Sequence, residues 1–329
     1  MKVVDMHCDT ISILTKDNSL NLRKNNLMID LEKMRKGDYL VQCFAMFVNL
    51  KKINVSPYQY VNLMIDKFKE QMELNKDVIK QVYSYDDIIK NNEVGLMSAL
   101  LTIEEGETIE GDLDKLRTLY QKGVRMITLT WNYPNQVAFP NVTYNEDGSP
   151  NFKDPNTTKG LTNFGIKMIK EMEKLGIIID VSHLGDKGFY DVYENTTKPF
   201  VASHSNARSV CSNIRNMTDD MILKLASRKG VMGINYCSYF VNNDKNGDNY
   251  YTGVNDLVKH IKYIKELAGI DCIGLGSDFD GISPTLEMKD ASMLNMLALK
   301  LKEEGFSDCE IEKIFYKNVL RVFKEVLHA

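Results

Sequence analysis

A histidine and an aspartate stand two residues apart near the start of the chain, in Val3-Val4-Asp5-Met6-His7-Cys8-Asp9. In a strand that spacing puts both side chains on one face. An imidazole and a carboxylate at the end of a buried strand make half a site for a divalent metal. Alone the pair is a weak signal, since His-x-Asp recurs by chance. Its partners give it weight. The chain has five histidines, and His183 and His204 also end apolar runs, in Asp180-Val181-Ser182-His183 and Ala202-Ser203-His204-Ser205. Glu104 ends Leu101-Thr102-Ile103-Glu104, and Asp278 stands in Gly276-Ser277-Asp278-Phe279-Asp280-Gly281.

Each residue has a plainer reading. A lone buried histidine is more often a hydrogen-bonded core residue than a ligand. Glu104 is equally suited to capping, with Glu105 as an adjacent competitor for its role, and Asp278 and Asp280 suit a Gly-rich turn. Gly274, Gly276 and Gly281 match no nucleotide-binding fingerprint. Cys8 and Cys237 read as packing thiols.

The elements that position these residues alternate strand with helix. Apolar runs at 2–6, 38–48, 93–103, 124–130, 177–181, 200–203, 230–236 and 272–276 read as eight strands. Helical spacing marks 58–73, 113–123, 161–175, 219–226 and 254–267, with further helices to the end. The stretch 131–159, rich in Asn, Pro, Thr and Gly, breaks the rhythm and reads as a long functional loop after the fourth strand. No linker or composition break interrupts the series, so residues 1–329 are expected to form a single-domain (β/α)8 TIM barrel of the α/β class, with a doubly wound sheet as alternative. In a barrel the carboxyl ends of all strands converge on one face, where active sites of this fold lie. His7, Asp9, Glu104, His183, His204 and Asp278 all follow or end strands, a coincidence the plainer readings leave unexplained.

Composition narrows the partners. Hydrophobic residues make up 43% of the chain, enough for a large core, and the net charge is −4 with no basic cluster, which points away from nucleic acid and anionic membranes toward small solutes. The acidic Asp5 precedes any signal-like apolar region and no anchor tail follows, so a cytoplasmic protein is expected. Six cysteines lie singly without a C-x-x-C, the pattern of reduced thiols, and the sequons at Asn141, Asn156, Asn195 and Asn216 are read as chance matches.

Together Asp5-x-His7-x-Asp9, Ile103-Glu104-x-Gly106, Gly160-Leu161-Thr162-x-Phe164-Gly165, Asp180-Val181-Ser182-His183, Ser203-His204-Ser205 and Gly276-x-Asp278-Phe279-Asp280-Gly281 resemble, in order, the renal or membrane dipeptidase family, the M19 metallopeptidases. The resemblance implies two zinc ions per chain: His7 and Asp9 on one, His183 and His204 on the other, Glu104 bridging. It implies Asp278 as the acid/base residue and Arg215, in Asn213-Ile214-Arg215-Asn216, as the receptor of the substrate carboxylate. The animal enzymes carry a histidine after the fourth strand, where this chain has Leu129-Thr130-Trp131-Asn132. In its place either the Asn132 amide or the metals alone would meet the oxyanion, and Trp131, Tyr236 and Tyr239 are candidate pocket walls. A homodimer is also compatible with the resemblance.

The expected reaction is dipeptide hydrolysis, including substrates with a carboxyl-terminal D-residue, by a hydroxide that bridges the two metals. Alternatives are another amidohydrolase-type reaction, on an N-acyl amino acid, a lactam or a phosphoester, or a catalytically silent metal or peptide binder.

Overall fold

Apolar runs short enough for single strands and buried at nearly every position fold into parallel strands that close on themselves. The computed structural model describes residues 1–243, 251–282 and 285–328. Its strands are β1 (Val3–Cys8), β2 (Tyr39–Phe47), β3 (Ile79–Gln81), β4 (Met97–Glu104), β5 (Val124–Thr128), β6 (Val142–Tyr144), β7 (Pro150–Pro155), β8 (Ile178–Asp180), β9 (Val201–Ala202), β10 (Val231–Ile234) and β11 (Ile273–Leu275). Neighbours pair in the order β2-β1-β11-β10-β9-β8-β5-β4. The ring closes where β2 pairs β4 in unbroken register, from Val41 opposite Ser98 to Phe47 opposite Glu104. This is the (β/α)8 barrel. Strand β3 lies outside the ring, paired only to β4.

Two sequence expectations need correction. The third barrel strand begins at Met97, not Glu93, because Ser84 and Asp87 form a capping box that starts a helix over Tyr85–Glu93, and Gly95 turns the chain at φ 76°. The stretch 131–159 is not structureless. It contains the antiparallel hairpin β6–β7 and is braced by asparagines, which explains its composition. Asn135 Oδ1 accepts from the amides of Val137 and Ala138, and Asn156 Nδ2 donates to the carbonyls of Pro140 and Lys159.

Alternation along the strands sorts the core. On β4, Ala99, Leu101 and Ile103 face the helical layer, while Ser98, Leu100, Thr102 and Glu104 take the other face, inside the ring. The last helix, Asn318–Val326, packs Val319, Val322, Phe323 and Val326 in one buried cluster with Val4, Met6, Leu100, Met126, Ile178, Val201 and Val231. Among the described residues no helix is long and apolar enough to cross a membrane.

Candidate metal centre

Six side chains converge at the carboxyl ends of the strands. His7 lies at the end of β1 and Asp9 just after it; Glu104 is the last residue of β4; His183, His204 and Asp278 follow β8, β9 and β11. All six are at most 8% exposed. His183 and Asp278 sit at φ 67° and 62°, so the chain turns sharply there and aims each side chain back over the barrel. Asp280, also left-handed, is engaged otherwise: its carboxylate accepts from Thr10 Oγ1 and from the amides of Met28 and Ile29, fastening the rim.

Glu104 is central to the cluster. Its Oε2 lies 3.5 Å from His7 Nε2, while its Oε1 lies 3.0 Å from His183 Nε2 and 3.6 Å from His204 Nε2. His7 Nε2 is also 3.4 Å from Asp9 Oδ2 and 3.9 Å from Asp278 Oδ1. One carboxylate thus faces two groups of donors. The hydrogen-bond network sets the tautomers. Ser203 Oγ donates to Asp180 Oδ2 and so accepts from His204 Nδ1–H at 2.7 Å, and Asn132 Oδ1 accepts from His183 Nδ1–H at 3.0 Å. Both Nε2 atoms then carry bare lone pairs, and they face one another at 3.2 Å. Two lone pairs at that distance cannot hydrogen-bond to each other; a divalent cation beside them turns the repulsion into ligation. The buried Asp9 Oδ1 also lacks a hydrogen-bond partner. The donor set, imidazole with carboxylate, fits zinc and its neighbours in the first transition row.

Electrostatics favour ligand-ready forms. Burial pushes His183 down to about 4, helped by Arg215, and lowers His204 as well, so both stay neutral. Burial opposes the charge on Glu104, yet His7, His183 and His204 together hold its carboxyl well below the usual range. Asp278 is pushed up to about 7, by burial first and then by Asp9 and Glu104, against the pull of His7 and a 2.9 Å hydrogen bond from Asn235 Nδ2.

Asn235 was not singled out from the sequence. The signal was present: Val231, Gly233 and Asn235 share the inner face of β10 and its extension, and an amide at that register has to meet the site. The same alternation removes Tyr236 from the substrate-binding set. Turned the other way, its ring lies edge-on to Phe279 at 5.5 Å and faces Thr252, Leu257, Leu286 and Met288, outside the cavity.

The remaining candidates surround the centre. A cavity of about 400 Å³ opens above it, lined by Phe47, Trp131, Asn132, Cys237, Tyr239 and Phe240 together with Asp9, Glu104, His183 and Asp278. Trp131 packs edge-on against Phe47, with ring centroids 4.9 Å apart. Arg215 is buried beside the centre, donating to Ser205 Oγ and the His204 carbonyl, each at 3.1 Å. Among the described residues it forms no ion pair, and its Nε has no partner.

The sequence profile of the membrane dipeptidase family, peptidase family M19, matches residues 1–329. An uncharacterized Klebsiella pneumoniae protein from the region 5' of pqqA is 35% identical over 73% of this chain and 86% of its own length. An uncharacterized dipeptidase of Schizosaccharomyces pombe is 32% identical over 98% of this chain and 80% of its own. A Rhodobacter sphaeroides metallopeptidase, solved with a phosphinate mimic of the dipeptide L-Ala-D-Ala, superposes with a TM-score of 0.89 over 99% of both chains at 24% identity, a likeness of fold.

Proposed function

The chain belongs to the membrane dipeptidase family, peptidase family M19, and from that premise we propose that it is a two-zinc dipeptidase acting on short substrates with a free carboxylate. The observation that carries the two-ion reading is the divided carboxylate of Glu104, one oxygen toward His7 and Asp9, the other toward His183 and His204. Zinc ions held there supply a Lewis acid for the scissile carbonyl and lower the pKa of water from about 15.7 toward about 7.

The protein's own groups do the rest. Arg215 takes the substrate carboxylate with its planar fork, which fixes the scissile bond a set distance away and disfavours longer peptides. Asn235 holds one oxygen of Asp278, leaving the other, 3.9 Å from His7 Nε2, to accept the proton of the attacking water and return it to the leaving amine. Asn132 gives its Oδ1 to His183, so its Nδ2–H is the donor left for the developing oxyanion. The cavity walls, Phe47, Trp131 and Phe240, exclude bulk water around a dipeptide-sized volume. A D-residue at the carboxyl-terminal position fits this reading, in line with the ligand of the Rhodobacter relative. The six unpaired cysteines, five of them buried, support work in a reducing cytoplasm.

Elemental analysis and turnover test this together. Protein purified without chelator is expected to hold roughly two zinc ions per chain and to cleave L-Ala-D-Ala and L-Ala-L-Ala but not N-acetyl-L-alanine or a phosphoester, losing activity on chelation and regaining it with zinc. Cleavage that survives exhaustive chelation, or a phosphoester preference that leaves Arg215 without a role, would overturn it.

A further inference from the structure

Beside the metal centre lies a second glutamate that the proposed chemistry does not use. Glu105 follows Glu104 directly, yet its side chain points away from the donors and is fully buried. Its backbone sits at φ 138°, ψ 111°, a region that favours glycine and strains an L-residue. A glutamate in that conformation needs side-chain bonds strong enough to hold it. They are present: Oε2 accepts from the Trp131 amide at 3.1 Å, and Oε1 accepts from the Glu107 amide at 2.9 Å and from Asn135 Nδ2. Asn135 in turn donates to the Leu129 carbonyl and caps Val137 and Ala138. At Gly106 a Cβ would lie 2.4 Å from the Leu129 carbonyl oxygen, so the two loops meet backbone to backbone.

We infer that Glu105 is a positioning residue, clamping the loop after β5 to the end of β4 so that Trp131 is fixed as a wall of the cavity and Asn132 is fixed on His183. The route is short. Glu105 holds the amide of Trp131, the next residue is Asn132, and Asn132 Oδ1 sets the tautomer and angle of the His183 ring. No other carboxylate among the described residues takes that amide. The arm that runs through His183 to bound metal rests on the two-ion reading above; the arm that runs to Trp131 does not.

The test uses two variants of the full chain, Glu105→Gln and Glu105→Gly. Glutamine keeps the size of the side chain but has one acceptor where two are needed, so in either orientation an N–H faces an N–H. Glycine relieves the backbone and removes the clamp, so a purely conformational role predicts a variant as good as the parent. Trp131 is the chain's only tryptophan, and its emission reports the wall directly. Acrylamide quenching of Trp131 in the metal-free protein is expected to rise in both variants. Titration with zinc against a competing chelator is expected to show about 10- to 100-fold weaker binding of one ion. Circular dichroism controls for folding. Quenching and zinc affinity both unchanged in Glu105→Gly would overturn the inference. If the parent itself binds no zinc, the two-ion reading fails separately, and quenching alone decides whether Glu105 holds the wall.

Discussion

The two halves of the barrel interior run along the same strands on opposite terms. Toward the amino ends the inward residues are Val4, Met6, Leu100, Met126, Ile178, Val201 and Val231, closed off by Val319, Val322 and Phe323 of the last helix. Two or four residues further along the same faces stand Glu104, Thr128, Asp180, Ser203 and Asn235, all buried and all polar. Apolar burial at about 25 cal/mol per Å² stabilises the first half, whereas the second crowds carboxylates and imidazoles whose repulsion a bound cation would relieve. Stability and chemistry thus fall to different ends of each strand, a division that single substitutions test.

The largest effect is expected at the polar end. Asp278→Asn should lower kcat for a dipeptide about 1,000-fold while zinc content is retained, since general acid–base catalysis contributes about 10²–10⁴. In the metal-free protein the same substitution removes a carboxylate packed near Asp9 and Glu104, and thermal denaturation should show it no less stable than the parent. A large loss of stability with little loss of turnover would reverse the assignment of this end.

At the apolar end the expectation inverts. Phe323→Ala should destabilise the fold by about 3–5 kcal/mol in denaturant titration, with kcat per folded molecule unchanged. A drop in kcat comparable to that of Asp278→Asn would mean the two ends are coupled more tightly than the packing implies.

The smallest effect concerns how the polar end is held from outside. His260 accepts from the Ala207 amide through Nδ1 and donates from Nε2 to the Val241 carbonyl, tying the segments after β9 and β10 to the helix Val254–Ala268. Burial pushes its pKa down to about 4. The unfolded chain then binds the proton more readily, so this contribution is complete above pH 6.5 and is lost as pH falls from 6.5 to about 4, at no more than about 1.4 kcal/mol per unit. His260→Gln keeps a donor and an acceptor but does not titrate, and should make the stability profile shallower across that window, the remaining slope belonging to groups such as His183. A parent and variant with parallel profiles would show that His260 contributes nothing to that slope.

How legible all this was in the chain follows from what each residue answers to. The eight barrel strands are continuous apolar runs because both faces are buried, and that pattern survives without tertiary information. His7, Glu104, His183, His204 and Asp278 stood out because strand ends leave polar residues abruptly after such runs. Strand β3 was missed because three residues carry no periodicity, and the β6–β7 hairpin because its bracing comes from asparagine side chains that sequence pattern does not rank. Tyr236 was placed in the cavity through one residue of register, since Asn235 holds the inward position. Glu105 reads as a rival for the role of Glu104; strand alternation and its positive φ turn the two side chains in different directions.

The seal formed by the last helix has a consequence in time. Val319, Val322 and Phe323 cover Val4 and Met6, and Ser277 closes the ring on Asp5 through its amide and hydroxyl. On a ribosome the first strand is made early but gains its second neighbour only after β11 has emerged, and its lining is covered only once the helix Asn318–Val326 has emerged as well. Until then an apolar strand edge stays open, the state in which nascent chains aggregate or engage chaperones. A cut that removes the helix Asn318–Val326 would bear on the fate of the chain's opening residues more than on those beside the cut.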